Sequence, residues 1–444
     1  MEGSVLPDQA YDEIPDVREI QFGRLIAISL STVTNGYTHG VHRYPAKFIP
    51  QIPRWAIRQY SKEGDRILDP FSGSGTTMVE AIAEGREGTG SDLDHLACLI
   101  GNAKTAQLDP TRLQELAREV LSRSMTVPQE LRVPMEGVKN FGHWFTDDAW
   151  AALQAIDTAI DSVKMSDKER TFFLASFSSI IRAVSNADDQ SQKTYVSGTL
   201  IKSPPPVFPT FQVKLRKNIA ASTALEGIRK SNTVDIVRAS ATRMPIENEM
   251  VDLIVTSPPY LDSVDYMYNT MLEYFWLGRR FGLSSRDDYN LARVSGIGSK
   301  KSKKYHSTMP SALTDMIDLN LIPDYRRSSI APYFEGMEKH FIEAARVLKP
   351  GGRYVLIIGN SSTQNGMLPL HDALVALAAS AGLNIEHAFG YRIRRHYMKF
   401  PRMGRGGIIL MDWVITLRKG DAVVGIPQTL PFVDEKLPDS AVAN

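Results

Sequence analysis

The stretch that most constrains this chain lies between Arg66 and Lys104, where strand and helix signals alternate. Arg66–Leu68 reads as a short apolar strand ending in Asp69-Pro70. A glycine-rich turn follows, Phe71-Ser72-Gly73-Ser74-Gly75-Thr76-Thr77. A helix over Met78–Ala83 is stopped by Gly85, and a strand over Gly88–Asp92 leads into a helix over Leu96–Lys104. Units joined in this way close as parallel strands with right-handed crossovers, so the run predicts an α/β fold built on an open, doubly wound sheet.

The same signature returns in pieces. Strands are expected at Val234–Val237 and Val251–Val255, the latter apolar enough to be buried on both faces. Helices are expected over Tyr266–Arg280, Tyr333–Leu348 and Leu370–Ala381. Strands are expected over Tyr354–Ile358, Ile385–Phe389 and Ile408–Leu417, with Lys349-Pro350-Gly351-Gly352 as the turn before the first. From Asp109 to Arg182 the pattern is helical, with Trp150, Leu153, Ile156 and Ile160 on one face. Ser203-Pro204-Pro205-Pro206 with Pro209 reads as an extended linker. The expected division is an N-terminal extension (1–40), a first catalytic part (41–108), a mostly helical insert (109–230), a second catalytic part (231–280), a basic loop (281–330), a third catalytic part (331–420) and a tail (421–444).

Composition narrows the function. The net charge is +1, from 51 Lys+Arg and 50 Asp+Glu, which excludes a uniformly basic coat protein but not a local basic groove. One Cys excludes a disulfide framework and a Cys-based zinc cluster. No His/Cys/Asp cluster has metal-ligand spacing. No apolar run reaches membrane-span length, and the acidic first 17 residues do not read as a signal peptide. A cytoplasmic protein is expected.

Two turns carry chemistry. Glycines between a strand and a helix let the backbone approach a ligand beside unpaired helix N–H groups. The Gly-x-x-x-x-Gly-Lys spacing of a P-loop is absent. Asp92 ends the next strand, where a carboxylate can accept from two ribose hydroxyls; the plainer role of a helix N-cap suits Asp94. The second turn is Thr256-Ser257-Pro258-Pro259-Tyr260. Two prolines end the strand and remove N–H donors, which leaves a turn rich in acceptors beside an aromatic ring. Such a turn suits an amino group on a base; the plainer alternative is a strand terminator with a packed Tyr.

These residues carry a resemblance. Asp69-Pro70-Phe71-x-Gly73-x-Gly75-Thr76-Thr77 and Thr256-Ser257-Pro258-Pro259-Tyr260 resemble the cofactor and catalytic motifs of S-adenosylmethionine-dependent amino DNA methyltransferases. The Ser-Pro-Pro-Tyr form is most typical of the cytosine-N4 branch. His42-Arg43-Tyr44-Pro45-Ala46-Lys47-Phe48 resembles the segment that helps hold the methionine end of the cofactor, and Gly90-Ser91-Asp92 the ribose-binding strand end. The matching blocks 42–105, 233–280 and 331–417 cover a little under half of the chain. Unlike many cytosine-N4 members, this chain has the cofactor motif first. Where the family often has an Asp near the adenine, it has Arg238-Ala239-Ser240-Ala241.

The resemblance implies a Rossmann-like methyltransferase sheet and S-adenosylmethionine as cofactor. It implies direct methyl transfer to N4 of cytosine in double-stranded DNA, after base flipping. It assigns catalysis to Ser257, Pro258, Pro259 and Tyr260. It assigns cofactor binding to Tyr44, Pro45, Lys47, Phe48, Asp69, Pro70, Phe71, Gly73, Gly75, Thr76, Thr77, Asp92, Ser240 and Thr256. Adenine-N6 transfer is the nearest alternative, and a non-catalytic DNA-binding relative is another. Cys98 has no preceding Pro and reads as a core residue, which disfavours cytosine-C5 chemistry. Residues 289–314 and 387–411 hold no acid. Their cations Lys300, Lys301, Arg392, Arg394, Arg395, Lys399, Arg402 and Arg405 are expected at DNA phosphates, with nucleoid association when bound. Insert 109–230 is the first candidate for target recognition and loop 281–330 the second. A restriction or defence partner is expected, and no membrane.

Overall fold

The computed structural model describes residues 10–28, 36–45, 49–127, 134–189, 191, 193–199, 201–261, 265–298, 307–317, 324–359, 361–363, 366–392 and 411–430. Nine strands form the main sheet among these residues. They are β1 (Ala10–Tyr11), β2 (Leu25–Ile28), β3 (Arg66–Asp69), β4 (Glu87–Asp92), β5 (Val234–Arg238), β6 (Val251–Thr256), β7 (Leu348–Gly359), β8 (Leu383–Arg392) and β9 (Met411–Lys419). The spatial order is β1-β2-β8-β9-β7-β6-β3-β4-β5. Strands β5, β4, β3, β6 and β7 run parallel, and β9 lies antiparallel between β7 and β8. The doubly wound α/β sheet read from the sequence is therefore present, with one reversed strand that the pattern did not reveal.

Alternate residues along the central strands serve two cores, because successive side chains in a strand point to opposite faces. Ile67, Leu253, Val255, Val355 and Ile357 pack with α1 (Gln51–Tyr60) and with Met78 and Ala81 of α2 (Thr76–Ala83). Leu68, Ile254, Leu356 and Ile358 face the other way, against helices Asp324–Val347 and Leu370–Ser380. The third core belongs to the insert. Helices α3 (His95–Thr105), α4 (Pro110–Ser124), α5 (Asp147–Ser162), α6 (Asp167–Ile181) and α7 (Val207–Glu226) enclose it together with α8 (Met271–Leu277). Leu153, Ile156 and Ile160 are buried there as their spacing demands, and Trp150 packs at the edge.

Four local expectations are corrected. The proline stretch is not a linker through Pro209, because α7 begins at Val207. Pro209 sits in its first turn, where the missing N–H has no intrahelical partner to lose. The helix expected over 266–280 is broken: Thr270 leaves helical geometry (φ −113°, ψ 27°), and its hydroxyl donates to the Tyr266 carbonyl at 3.1 Å. Helix α9 (Arg286–Arg293) follows. The Lys349–Gly352 turn is a bulge within β7, where the pairing jumps from Val251↔Leu348 to Leu253↔Arg353. Helices α10 (Asp324–Val347) and α11 (Leu370–Ser380) cover the sheet on that side, and α10 starts well before the expected Tyr333. Among the described residues no helix is long and apolar enough to cross a membrane.

Candidate active site

The carboxyl ends of β3, β4 and β6 lie side by side, and each carries one of the singled-out motifs. The glycine turn leaves β3 and nests against β4: a Cβ on Gly90 would stand 3.0 Å from Cβ and Oγ of Ser72. Gly73 and Gly75 both take positive φ, at 49° and 77°. Their uses differ. A Cβ on Gly75 would meet Ile236 Cδ1 at 2.9 Å and Gly101 Cα at 3.1 Å, so Gly75 permits helix packing. Gly73 turns its N–H to Asp92 Oδ2 at 2.9 Å and has Tyr44 alongside.

Asp92 Oδ1 also accepts from the Asp94 N–H at 2.9 Å. Asp94 caps α3, accepting from Ala97 N–H at 3.0 Å, as its place before the helix suggested. Its carboxylate further accepts from Tyr274 at 2.7 Å and Tyr44 at 3.3 Å. Tyr44 stacks on Tyr266, with ring centroids 6.3 Å apart. Two carboxylates thus share a recess walled by tyrosines. Burial, helped by the charge of Asp94, pushes Asp92 up to about 7. The Ser72 hydroxyl is buried at the turn without a hydrogen-bond partner.

The other side chains of the motif form a clasp. Asp69 is fully buried and accepts from Thr77 Oγ1 at 2.6 Å, Thr256 Oγ1 at 2.5 Å and Phe71 N–H at 3.2 Å. Burial raises its pKa to about 6, against the pull of those donors. Asp69, Thr77 and Thr256 bind one another and lock the glycine turn to the start of the Ser257 turn. Thr76 is buried at the head of α2, and the Pro70 carbonyl accepts from Ser91 Oγ at 3.3 Å. The Phe71 ring meets His340 edge-on at 4.7 Å. Burial holds His340 near 4, so its ring is neutral between the Ala241 carbonyl and the Tyr354 hydroxyl. Ser240 lies just past β5, next to Ala239, whose N–H donates to the Asp92 carbonyl. Its hydroxyl is shared with Thr242 at 2.9 Å.

At the Ser257 turn, Pro258 is buried, and Ser257, Pro259 and Tyr260 are half-buried. Tyr260 donates to Asp412 Oδ1 at 2.7 Å, and Tyr391 donates to Asp412 Oδ2 at 3.0 Å.

The profile of the N6/N4 family of DNA methylases matches residues 21–102, the span that contains the Tyr44 segment, the glycine turn and Asp92. The type II methyltransferase M.MvaI of Kocuria varians is 27% identical over 402 residues, covering 84% of this chain and 86% of the relative. M.BsoBI of Geobacillus stearothermophilus is 24% identical over 456 residues, covering 88% and 87%. M.MjaII of Methanocaldococcus jannaschii is 34% identical over 95 residues, covering 21% and 18%. These matches, to a family profile and along most of two relatives, support reading this chain as an N4/N6 DNA methyltransferase.

S-adenosylmethionine is accordingly the cofactor of this methyltransferase. The recess fits it: a raised-pKa carboxylate at the end of β4 can receive the ribose hydroxyls, and the orphaned Ser72 hydroxyl is available to a polar ligand atom. Cys98 is buried in α3, where burial pushes its thiol up, so it offers no thiolate. Among the described residues no group of His, Cys, Asp and Glu is placed to hold a metal ion. His42 and His39 have other partners: Ser178 Oγ at 3.0 Å and buried Glu80 at 2.7 Å, the latter also bound by Arg54.

Lys47, Phe48, Lys300, Lys301, Arg394, Arg395, Lys399, Arg402 and Arg405 lie outside the described residues. Arg392 ends β8, and its side chain is outside them too. Sequence reasoning missed Asp412, Tyr391, Tyr274 and the buried Lys104, whose Nζ donates to Ser74 Oγ at 3.0 Å. One signal was present for Asp412: it is the lone acid in the apolar run Ile408–Leu417.

Proposed function

We propose that this methyltransferase transfers the methyl group of S-adenosylmethionine to the exocyclic N4 of cytosine in double-stranded DNA. The supporting observation is the Asp69 clasp. It binds Thr77 behind the glycine turn and Thr256 ahead of Ser257, and so holds a cofactor recess and an acceptor-rich turn at the ends of adjacent strands. The cofactor supplies an electrophilic methyl on sulfonium. Asp92 would hold the ribose hydroxyls, with the Gly73 turn, Phe71 and the Tyr44–Pro45 segment around the remainder and Ser240 near the adenine.

An aromatic exocyclic amine is a weak nucleophile because its lone pair is delocalised into the ring. The Ser257 hydroxyl and the carbonyls of the proline turn are acceptors for its protons. Drawing those protons out of the ring plane localises the lone pair towards the methyl group. Alignment and fixed dipoles then supply the acceleration, without a covalent enzyme intermediate. The base must leave the duplex to reach the turn, and the Tyr260 ring offers a face to stack on. The Ser-Pro-Pro-Tyr form of the turn favours cytosine over adenine. Target reading is assigned to the helical insert, and the biological setting to restriction–modification.

The test is to methylate DNA with the purified protein, digest it to nucleosides and identify the product by mass. N4-methylcytosine is expected; N6-methyladenine would overturn the base assignment. Sequencing of methylated positions on the same DNA reports the recognition site.

A further inference from the structure

Asp412 has no role in the reading above, yet it is anchored through both of its oxygens beside the Ser257 turn. It is 7% exposed, at the start of the reversed strand β9. Both carboxylate oxygens are taken by phenols from separate elements, Tyr260 of the turn at 2.7 Å and Tyr391 of β8 at 3.0 Å. Gly390–Arg392 pair with Met411–Trp413 across the β8–β9 ladder, so Tyr391 is opposite Asp412 and cannot drift from it. A buried carboxylate between strands is costly unless both oxygens are satisfied, so the fold retains this one at some expense.

We propose that Asp412 is a positioning residue for methyl transfer: it fixes the Tyr260 hydroxyl as a donor pointing away from the turn, so that the lone pairs of that oxygen face Ser257. A carboxylate only accepts, so the Tyr260 proton is committed to Asp412. The phenol oxygen then serves as acceptor for the Ser257 hydroxyl. Ser257 in turn has only lone pairs left for the incoming amine, which sets its polarity as an acceptor of N–H. Positive charge grows on the amine nitrogen as the methyl arrives. The Asp412 charge acts on it through three polarised hydrogen bonds; the N–CH3 bond forms as the S–CH3 bond breaks, and the proton that the methylated amine then sheds goes to water, so none crosses the chain. Tyr391 fills the second oxygen and keeps the carboxylate from turning.

The inference rests on the methyl-transfer reading of the Ser257–Tyr260 turn, not on which base is methylated. The test compares wild type, Asp412→Asn, Tyr260→Phe, Tyr391→Phe and the double variant Asp412→Asn/Tyr260→Phe in steady-state methylation of DNA. Asp412→Asn is expected to lower kcat by about 10- to 100-fold, the scale seen when a supporting partner of a site residue is removed. The KM for S-adenosylmethionine and for DNA should change by less than about threefold, since Asp412 is buried with both oxygens taken by phenols. Tyr391→Phe, which keeps volume and fold, should lower kcat by only a few-fold. The double variant should be no slower than Tyr260→Phe, because Asp412 has no path to Ser257 without the phenol. Undiminished kcat in Asp412→Asn, a loss confined to KM, or multiplying effects in the double variant would each overturn the role. If Asp412→Asn fails to fold, the Tyr391→Phe rate decides: full activity there sinks the proposal. Product mass from the wild type reports separately on the base assignment.

Discussion

The contact between α3 and the glycine turn can be tested through one methyl group. A Cβ on Gly101 would stand 2.5 Å from Ile236 Cδ1, with nothing else closer than Ile236 Cγ2 at 3.6 Å and Gly75 N at 3.7 Å. The obstacle is therefore a single terminal methyl on β5. Gly101→Ala gains about 1 kcal/mol from helix propensity. Overpacking in a filled core costs about 1–3 kcal/mol, so the variant should be destabilised by about 1 kcal/mol net. Ile236→Val removes Cδ1 and alone costs about 0.5–1.5 kcal/mol. Combined, the two changes cancel: the new methyl enters the vacated space and the helix gain remains. The double variant should match wild type within about 0.5 kcal/mol, a coupling of about 2 kcal/mol. Urea unfolding followed by circular dichroism, on all four proteins at one pH, measures the cycle. Purely additive stabilities would refute the single-methyl account of this contact.

Two further outcomes follow from buried carboxylates. Asp69 has its folded pKa raised to about 6 from a usual 3.8, so its stabilising, protonated form is complete at low pH and is lost as pH rises through about 6. That shift corresponds to about 3 kcal/mol of pH-dependent stability, which Asp69→Asn should remove, with Thr77 turning to the Val255 carbonyl already 3.4 Å away. Equal pH dependence of the urea midpoint between pH 4 and 7 in both proteins would count against it. Asp92 protonates near 7, so S-adenosylmethionine affinity should fall as pH drops below that value, and Asp92→Asn should lose about 10- to 100-fold at pH 8. Calorimetric titration giving one Kd from pH 5.5 to 8 for the wild type would remove Asp92 from the cofactor site.

The parts of this fold that were legible in the sequence are those coded locally. Glycine punctuation and strand-length apolar runs gave β3, α2, β4 and α3 to within two residues at each end. The Pro258-Pro259 pair ended β6 where it must, because prolines cannot continue a ladder. What escaped was coded at a distance or by position. Pro209 looks like a breaker until its place in a first turn is known. Asp412 meets Tyr260 across 152 residues of sequence, and no local period announces such a pair. The glycine turn was legible as a unit, but not its division of labour: Gly73 serves the Asp92 recess, whereas Gly75 serves Ile236 and Gly101. The spacing likewise did not announce that Asp69, Thr77 and Thr256 bind one another.

The insert shares its core with α3 and α8 rather than owning one. Modular exchange is thereby closed to this enzyme. A graft cut at residues 109 and 230 would strip cover from Leu96, Ile100, Leu272 and Phe275, all buried in that common core. Substitutions in the insert are tolerated only on the outer faces of α4–α7, with their inner faces left intact. Descendants of such a protein would then vary this region by surface replacement and not by swapping a cassette.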